Sequence, residues 1–233
     1  MSYPFQTLLL FSIAFLLNTL SAQHRVFTVE YVEVKYPINI DIDELTQLPS
    51  QLRREFMEEQ KKRMKVKYIH TLTTDGKTSK YVFKDIEKPP EMRLLFGTID
   101  HYKDFASCKV ISLSASLPPD TQIEGTLMRP EEWTLVEGVD TVICNYRCKK
   151  ALSRDGAIAW YTEQIPIPDG PSTFSGLPGL ILKVVVPGKY VITAREVAVA
   201  SDTVTIDIPR RPKAISMEKY VGSLRKTLLQ QKR

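Results

Sequence analysis

The chain has 233 residues, a net charge of +5, 43% hydrophobic and 25% charged residues, and three cysteines. That length builds one sizeable core or two small ones, and with no domain-scale repeat, low-complexity run or linker, one domain is the simplest reading. The modest basic excess suits an anionic surface or an acidic ligand as well as an ordinary globular protein, but its dispersal among acids argues against nucleic acid as a partner.

The first element is an apolar run, Leu8 to Leu17, followed by Asn18-Thr19-Leu20-Ser21-Ala22-Gln23. Its length suits a signal h-region and falls short of the roughly 20 residues that span a bilayer. Ser21 and Ala22 offer a cleavage site before Gln23, although the preceding residues lack Lys and Arg and Leu20 is bulky at the −3 position. The expectation is therefore a signal peptide over 1–22 and a mature domain over 23–233. The protein would be exported: periplasmic, outer-membrane-associated or secreted, with no transmembrane span in the mature chain.

The segment Arg25 to Tyr36 reads as a first strand. An acidic connection over Asp41–Glu44 follows, then a helix near 50–65 with Ser50 as its cap. Leu52, Phe56, Met57 and Met64 form its apolar stripe, and Glu58–Lys62 and Glu59–Arg63 pairs its solvated face. Two runs, Val66–Leu72 and Ser79–Lys84, flank Asp75-Gly76 and make a hairpin signal. Short strands are expected at Lys109–Ser114, Trp133–Val136, Thr141–Tyr146, Ala157–Tyr161, Leu180–Val186, Tyr190–Val199 and Thr203–Ile208. Pro187-Gly188 supplies a turn, and no crossover helices intervene, so the sheet should be largely antiparallel. A terminal amphipathic helix carries Met217, Tyr220, Val221, Leu224 and Leu228 on one face, with Arg225, Lys226 and Lys232 toward water. The fold class is α+β and β-rich: a curved, mostly antiparallel sheet, a half-barrel or open barrel wrapped around one internal and one C-terminal helix.

Cys144 and Cys148 read as sharing one strand, where four residues span about 13 Å; a disulfide needs Cα atoms within about 7 Å. Any bridge would therefore join Cys108 to Cys144 or Cys148, leaving a buried thiol. Basic neighbours Arg147, Lys149 and Lys150 could lower the pKa of Cys148, but no histidine lies nearby in sequence to make it a nucleophile.

The segment from Trp160 to Leu182 differs from the rest. Pro166, Pro168, Pro171 and Pro178 fix φ, while Gly170, Gly176 and Gly179 open backbone conformations closed to other residues. Gly179 is expected at positive φ, where Val would misfold the chain. The physics is that of a rigid corner between two strands. Trp160, Tyr161, Pro166, Gly170, Pro171, Phe174, Gly176, Leu177, Pro178 and Gly179 are its candidate structural or interaction residues.

The run Gly176-Leu177-Pro178-Gly179-Leu180-Ile181 follows Trp160-Tyr161-Thr162 and Ile165-Pro166-x-x-x-Gly170-Pro171. With Cys148-Lys149-Lys150-Ala151 upstream, it closely resembles the signature of the GLPGLI family of exported Bacteroidetes proteins. The resemblance is specific over Trp133–Val185. It implies a signal-bearing envelope protein of undefined role and brings no catalytic residues.

Familiar chemistries find no motif. His24, His70 and His101 are far apart and match no zinc spacing, so neither a metal nor a cofactor is expected. The 170–176 segment lacks the G-x-S-x-G spacing and any phosphate cradle. The reading leans away from an enzyme, toward a non-catalytic envelope binding or accessory protein whose partner is an envelope protein, a peptide or an apolar ligand. The alternatives are an exported hydrolase with a site assembled from distant residues, and a purely structural envelope component. An apolar pocket lined by Trp160 or Phe174 would favour the first. Mutually hydrogen-bonded His, Asp or Ser would favour the hydrolase, and a flat exposed apolar patch the third.

Overall fold

The computed structural model describes residues 25–36, 49–90, 98–200 and 204–230; the segment expected to be a signal peptide, His24 and the Asp41–Glu44 connection lie outside them, as do the side chains beyond 223. Twelve strands form one sheet in the order β12-β6-β5-β4-β3-β2-β1-β11-β10-β9-β8-β7. In chain order they are β1 Phe27–Lys35, β2 Lys67–Thr74, β3 Thr78–Glu87, β4 Ile99–Asp104, β5 Lys109–Ser114, β6 Thr121–Thr126, β7 Trp133–Ile143, β8 Tyr146–Ser153, β9 Ile158–Thr162, β10 Leu180–Val186, β11 Tyr190–Val199 and β12 Lys213–Ser216. Helix α1 is Ser50–Arg63 and helix α2 is Met217–Gln230. The ladders are antiparallel except β12 on β6, which is parallel.

The half-barrel or open barrel does not form. Among the described residues no ladder joins the two edges, and the sheet stays open. Both edges are poor templates for closure: β12 has four residues, and the β7 register breaks between Val136 and Thr141. Short and bulged edges are the ordinary devices that keep a sheet from pairing further. The helices do not fill the sheet either. In α1 only Gln60 is buried, while Leu52, Met57 and Met64 of the expected stripe are 45–52% exposed. In α2, which packs on β12 and β6, Tyr220 is buried and its hydroxyl lies 3.0 Å from Ser114 Oγ, whereas Met217 and Val221 are exposed. No helix among the described residues is long and apolar enough to cross a membrane.

Several local expectations shift. The helix cap is Pro49, and Ser50 lies inside the first turn without a capping bond. The hairpin is as expected: Asp75 Oδ1 accepts the N–H groups of Lys77 (2.8 Å) and Thr78 (2.7 Å), and Gly76 takes φ 81°. Residues 204–212 form no strand, and β12 comes after them. Strands β4, β6 and most of β8 lie where no strand was expected, because their charged residues hide the alternation: in β4, Asp100, Tyr102 and Asp104 alternate with the buried His101 and Lys103.

The sheet face is filled by the corner itself. Ile165, Ile167, Leu180 and Leu182 join Val29, Tyr31, Leu72, Tyr81 and Ile192 in one core cluster. Phe174, Leu177 and Ile181 join Trp133, Ala159, Tyr161 and Val184 in a second. The Pro/Gly segment therefore does the work assigned to a helix, burying its apolar side chains between strands far apart in the sheet order.

Candidate functional site: a serine–histidine cluster on the Pro/Gly corner

The corner leaves β9 at Thr162 and enters β10 at Leu180. Its alternation is strand-like at first: Ile165 and Ile167 are buried, Pro166 and Pro168 exposed. Two consecutive tight turns follow, with the Ile167 N–H on Ile165 O and the Asp169 N–H on Ile167 O, both 2.8 Å. The chain then folds back on itself. Phe174 N–H reaches Pro171 O (3.1 Å), Gly176 N–H reaches Pro168 O (3.0 Å), and Ile181 N–H reaches Asp169 O (2.8 Å). From β1, the buried Tyr31 hydroxyl donates to Ile181 O at 2.6 Å.

Gly179 is demanded, for a reason other than the one expected. Its φ is not positive; rather, a Cβ there would stand 2.1 Å from Thr162 O and 2.6 Å from Thr162 C. Gly176, at φ 89°, is fixed twice over, since its Cβ would meet Met128 O at 2.6 Å.

The Pro171–Phe174 turn holds an ion pair at its centre. Lys103, on β4, is fully buried, and its Nζ donates to Asp169 Oδ1 (2.6 Å), Gly170 O (2.6 Å) and Phe174 O (3.0 Å). An ammonium has three donors, and all are used. Burial pulls the Lys103 pKa below its ordinary value, and the Asp169 carboxylate opposes that shift. Asp169 Oδ1 also accepts the Gly170 N–H at 2.7 Å.

On this turn sits Ser172, a half-exposed residue with φ 55°. A non-glycine residue held there is strained by about 1–3 kcal/mol and is a pointer to function. Its Oγ lies 3.3 Å from His101 Nε2, and His101 Nδ1 lies 2.8 Å from Ser112 Oγ. The three residues come from the corner, β4 and β5. Sequence spacing linked none of them, since 71 residues separate Ser172 from its histidine. The one visible cue was Ser172 inside a Pro/Gly-set loop.

Burial first, then the Lys103 charge and His70, bring the His101 pKa down to about 3. The imidazole is thus neutral at pH 7, and in the tautomer protonated on Nδ1 it would offer an Nε2 lone pair to Ser172. His70 is buried too, stacks on Tyr81 at 4.7 Å between ring centroids, and is lowered to about 4, chiefly by burial. His70 and His101, read from the sequence as unrelated strand or surface residues, flank Tyr81 in the interior.

A consequence is acid lability. Both histidines titrate lower in the folded state than the ordinary 6.5, so the unfolded chain binds more protons between about 6.5 and 4. Stability is full above that window and falls on acidification through it, at about 1.4 kcal/mol per pH unit for each histidine. Glu33, raised by burial, opposes part of the fall. Urea midpoints should drop steadily from pH 7 to pH 4.5; an unchanged midpoint would refute the burial of both rings.

The other candidate residues divide. Tyr161 and Leu177 are core, and Phe174 is core against Trp133 at 6.3 Å. Trp160 is half-buried on β9 with Lys183 Nζ 4.9 Å from its ring centroid. The three cysteines are free thiols: Cys108 exposed, Cys144 half-buried beyond the end of β7, Cys148 buried. The basic neighbours of Cys148 do not activate it, because burial pushes its thiol up to about 11.

Part of the corner walls a cavity of about 590 Å³ whose lining includes Phe105, Cys108, Met128, Trp133, Leu177 and Pro178, but none of Ser172, His101 and Ser112. The expected pocket side chains Trp160 and Phe174 do not line it, although the corner residues Gly176, Leu177 and Pro178 do.

Comparison with known proteins adds three findings. A family described as a protein of unknown function (Porph_ging) matches residues 149–183, from β8 through the corner to β10. No curated protein matches the chain. Two solved structures of PNGF-II, in space groups P21 and C2, align at TM-score 0.54 with 15% and 14% identity, covering 85% of this chain and 33% and 32% of theirs. The chain thus spans about a third of the PNGF-II chain, and the likeness is one of fold. PNGF-II is a hydrolase, so the lean away from an enzyme does not stand: this β-rich fold occurs within a protein that catalyses.

Proposed function

We propose that the protein is an exported hydrolase, of the GLPGLI type by its corner motif, with Ser172 as nucleophile and His101 as base. The observation that carries this reading is a serine at φ 55° whose Oγ lies 3.3 Å from a buried imidazole. Serine nucleophiles characteristically sit on such strained turns with a histidine in reach. In this reading His101 carries its proton on Nδ1, hydrogen-bonded to Ser112 Oγ at 2.8 Å, an arrangement that orients the ring and leaves Nε2 free. The fold shared with PNGF-II supports the reaction class.

In the reaction, Ser172 Oγ attacks an ester carbonyl and its proton passes to Nε2. Nε2 returns that proton to the leaving alcohol. Water then attacks the acyl-serine, Nε2 taking its proton and handing it to Oγ as the bond breaks. A base with pKa about 3 is weak, so turnover is slow and confined to activated esters. The same low value keeps the imidazole neutral, so activity should hold level from pH 8 to pH 5.

Hydrolysis of p-nitrophenyl esters by the purified mature protein tests this. Ser172→Ala should remove activity above background, and Ser112→Ala should lower it about 10-fold, the size of one lost orienting hydrogen bond. Equal rates in wild type and Ser172→Ala, with folding intact by circular dichroism, would refute the assignment.

A further inference from the structure

We propose that the cavity beside the corner binds a single-chain aliphatic carboxylate, its chain inside and its carboxylate on Arg129 at the mouth. A volume of about 590 Å³ lies within the roughly 300–1,000 Å³ typical of small-molecule sites. The polar side-chain atoms of Trp133 and Ser175 in the wall are already engaged within the protein. The Trp133 indole N–H donates to Ser175 O at 2.9 Å, and the Ser175 hydroxyl donates to Met128 O at 3.3 Å. What these residues present inward is hydrocarbon, joined by Phe105, Leu127 and Leu177.

The walls are also fixed in shape. Gly176 lies so close to Met128 that no side chain fits between them, and Pro168 and Pro178 set the adjoining backbone. A preset apolar cavity binds without an ordering cost, which favours a flexible chain entering from water.

The single charged side chain in the wall is that of Arg129, which is exposed. No ion pair among the described residues engages its guanidinium. The nearby Glu132 carboxylate is turned to the backbone, accepting the Arg129 N–H at 2.9 Å, and neither Glu131 nor Glu132 lines the cavity. A guanidinium without a carboxylate, at the lip of a hydrocarbon cavity, matches a ligand with one anionic end.

Cys108 provides the readout. It is the exposed thiol of the three and lies in the cavity wall, so an occupant shields it. The mature protein would be titrated with dodecanoate below its micelle concentration, with dodecanol as the uncharged comparator. Trp133 emission and the rate of Cys108 alkylation by N-ethylmaleimide would both be followed. Dodecanoate should saturate both signals and slow alkylation several-fold. Arg129→Gln, an exposed change that leaves the core alone, should weaken dodecanoate roughly tenfold and leave dodecanol unchanged. Trp133→Phe should abolish the emission change while Cys108 protection persists. Absence of saturable binding would overturn the proposal, as would equal dodecanoate affinity in Arg129→Gln. The inference is independent of the hydrolase reading: Ser172→Ala should bind dodecanoate as wild type does.

Discussion

Lys103→Met is expected to cost about 3–5 kcal/mol, the range for removing one partner of a buried ion pair. Domains of this size have total stabilities of only about 5–15 kcal/mol, so the variant should be close to unfolding at room temperature. Three acceptors lose their donor at once: Asp169 Oδ1, Gly170 O and Phe174 O. For this reason a double change, Lys103→Met with Asp169→Leu, should recover only part of the loss. It removes the orphaned carboxylate but leaves the two carbonyls, and the Gly170 N–H that Asp169 accepted, unsatisfied in the interior, at about 1–3 kcal/mol each. Full recovery by the double variant in urea unfolding would show that the pair matters only to itself. Partial recovery would show that the Lys103–Asp169 pair also holds the turn that carries Ser172.

The second large effect is expected at Gly179. Alanine alone should cost about 3 kcal/mol or more, because its Cβ would overlap the Thr162 carbonyl, and backbone cannot rotate away as a side chain can. Valine should be little different, since the first carbon already collides. Gly188→Ala is the contrasting case: Gly188 has φ 70° and nothing within 4 Å of its Cβ position, so only the roughly 1–2 kcal/mol conformational cost applies. Thermal denaturation of Gly179→Ala, Gly179→Val and Gly188→Ala separates the two mechanisms. If Gly179→Ala melts like wild type, strand β10 does not press on the end of β9 as described.

The legible parts of this molecule are those in which local chemistry dictates the answer. Asp75-Gly76 and Pro187-Gly188 specify their turns regardless of surroundings, and the prolines and glycines of 163–179 announce a preset path. The apolar periodicity of β1, β10 and β11 likewise stands out. Strand β4 did not, because its buried face carries His101 and Lys103, residues that read as solvent-facing until their partners arrive from the corner. The helices misled in the opposite direction. The apolar stripe of α1 implied a buried face, yet Leu52 and Met57 are exposed, because the corner already fills the sheet. Architecture failed for a related reason: alternation fixes which residues face inward but carries no information on whether the edge strands, β12 and β7, meet. The serine–histidine cluster was invisible because its three residues lie in separate segments and no local spacing joins them.

A nucleophilic Ser172 served by His101 should react with a fluorophosphonate. The decisive measurement is to treat the purified protein with that reagent at pH 7, digest it and map the adduct by mass spectrometry. The account requires modification at Ser172, undiminished at pH 5 and greatly reduced in His101→Gln. Labelling spread indiscriminately over surface serines, or none at Ser172 in a folded protein, would contradict it.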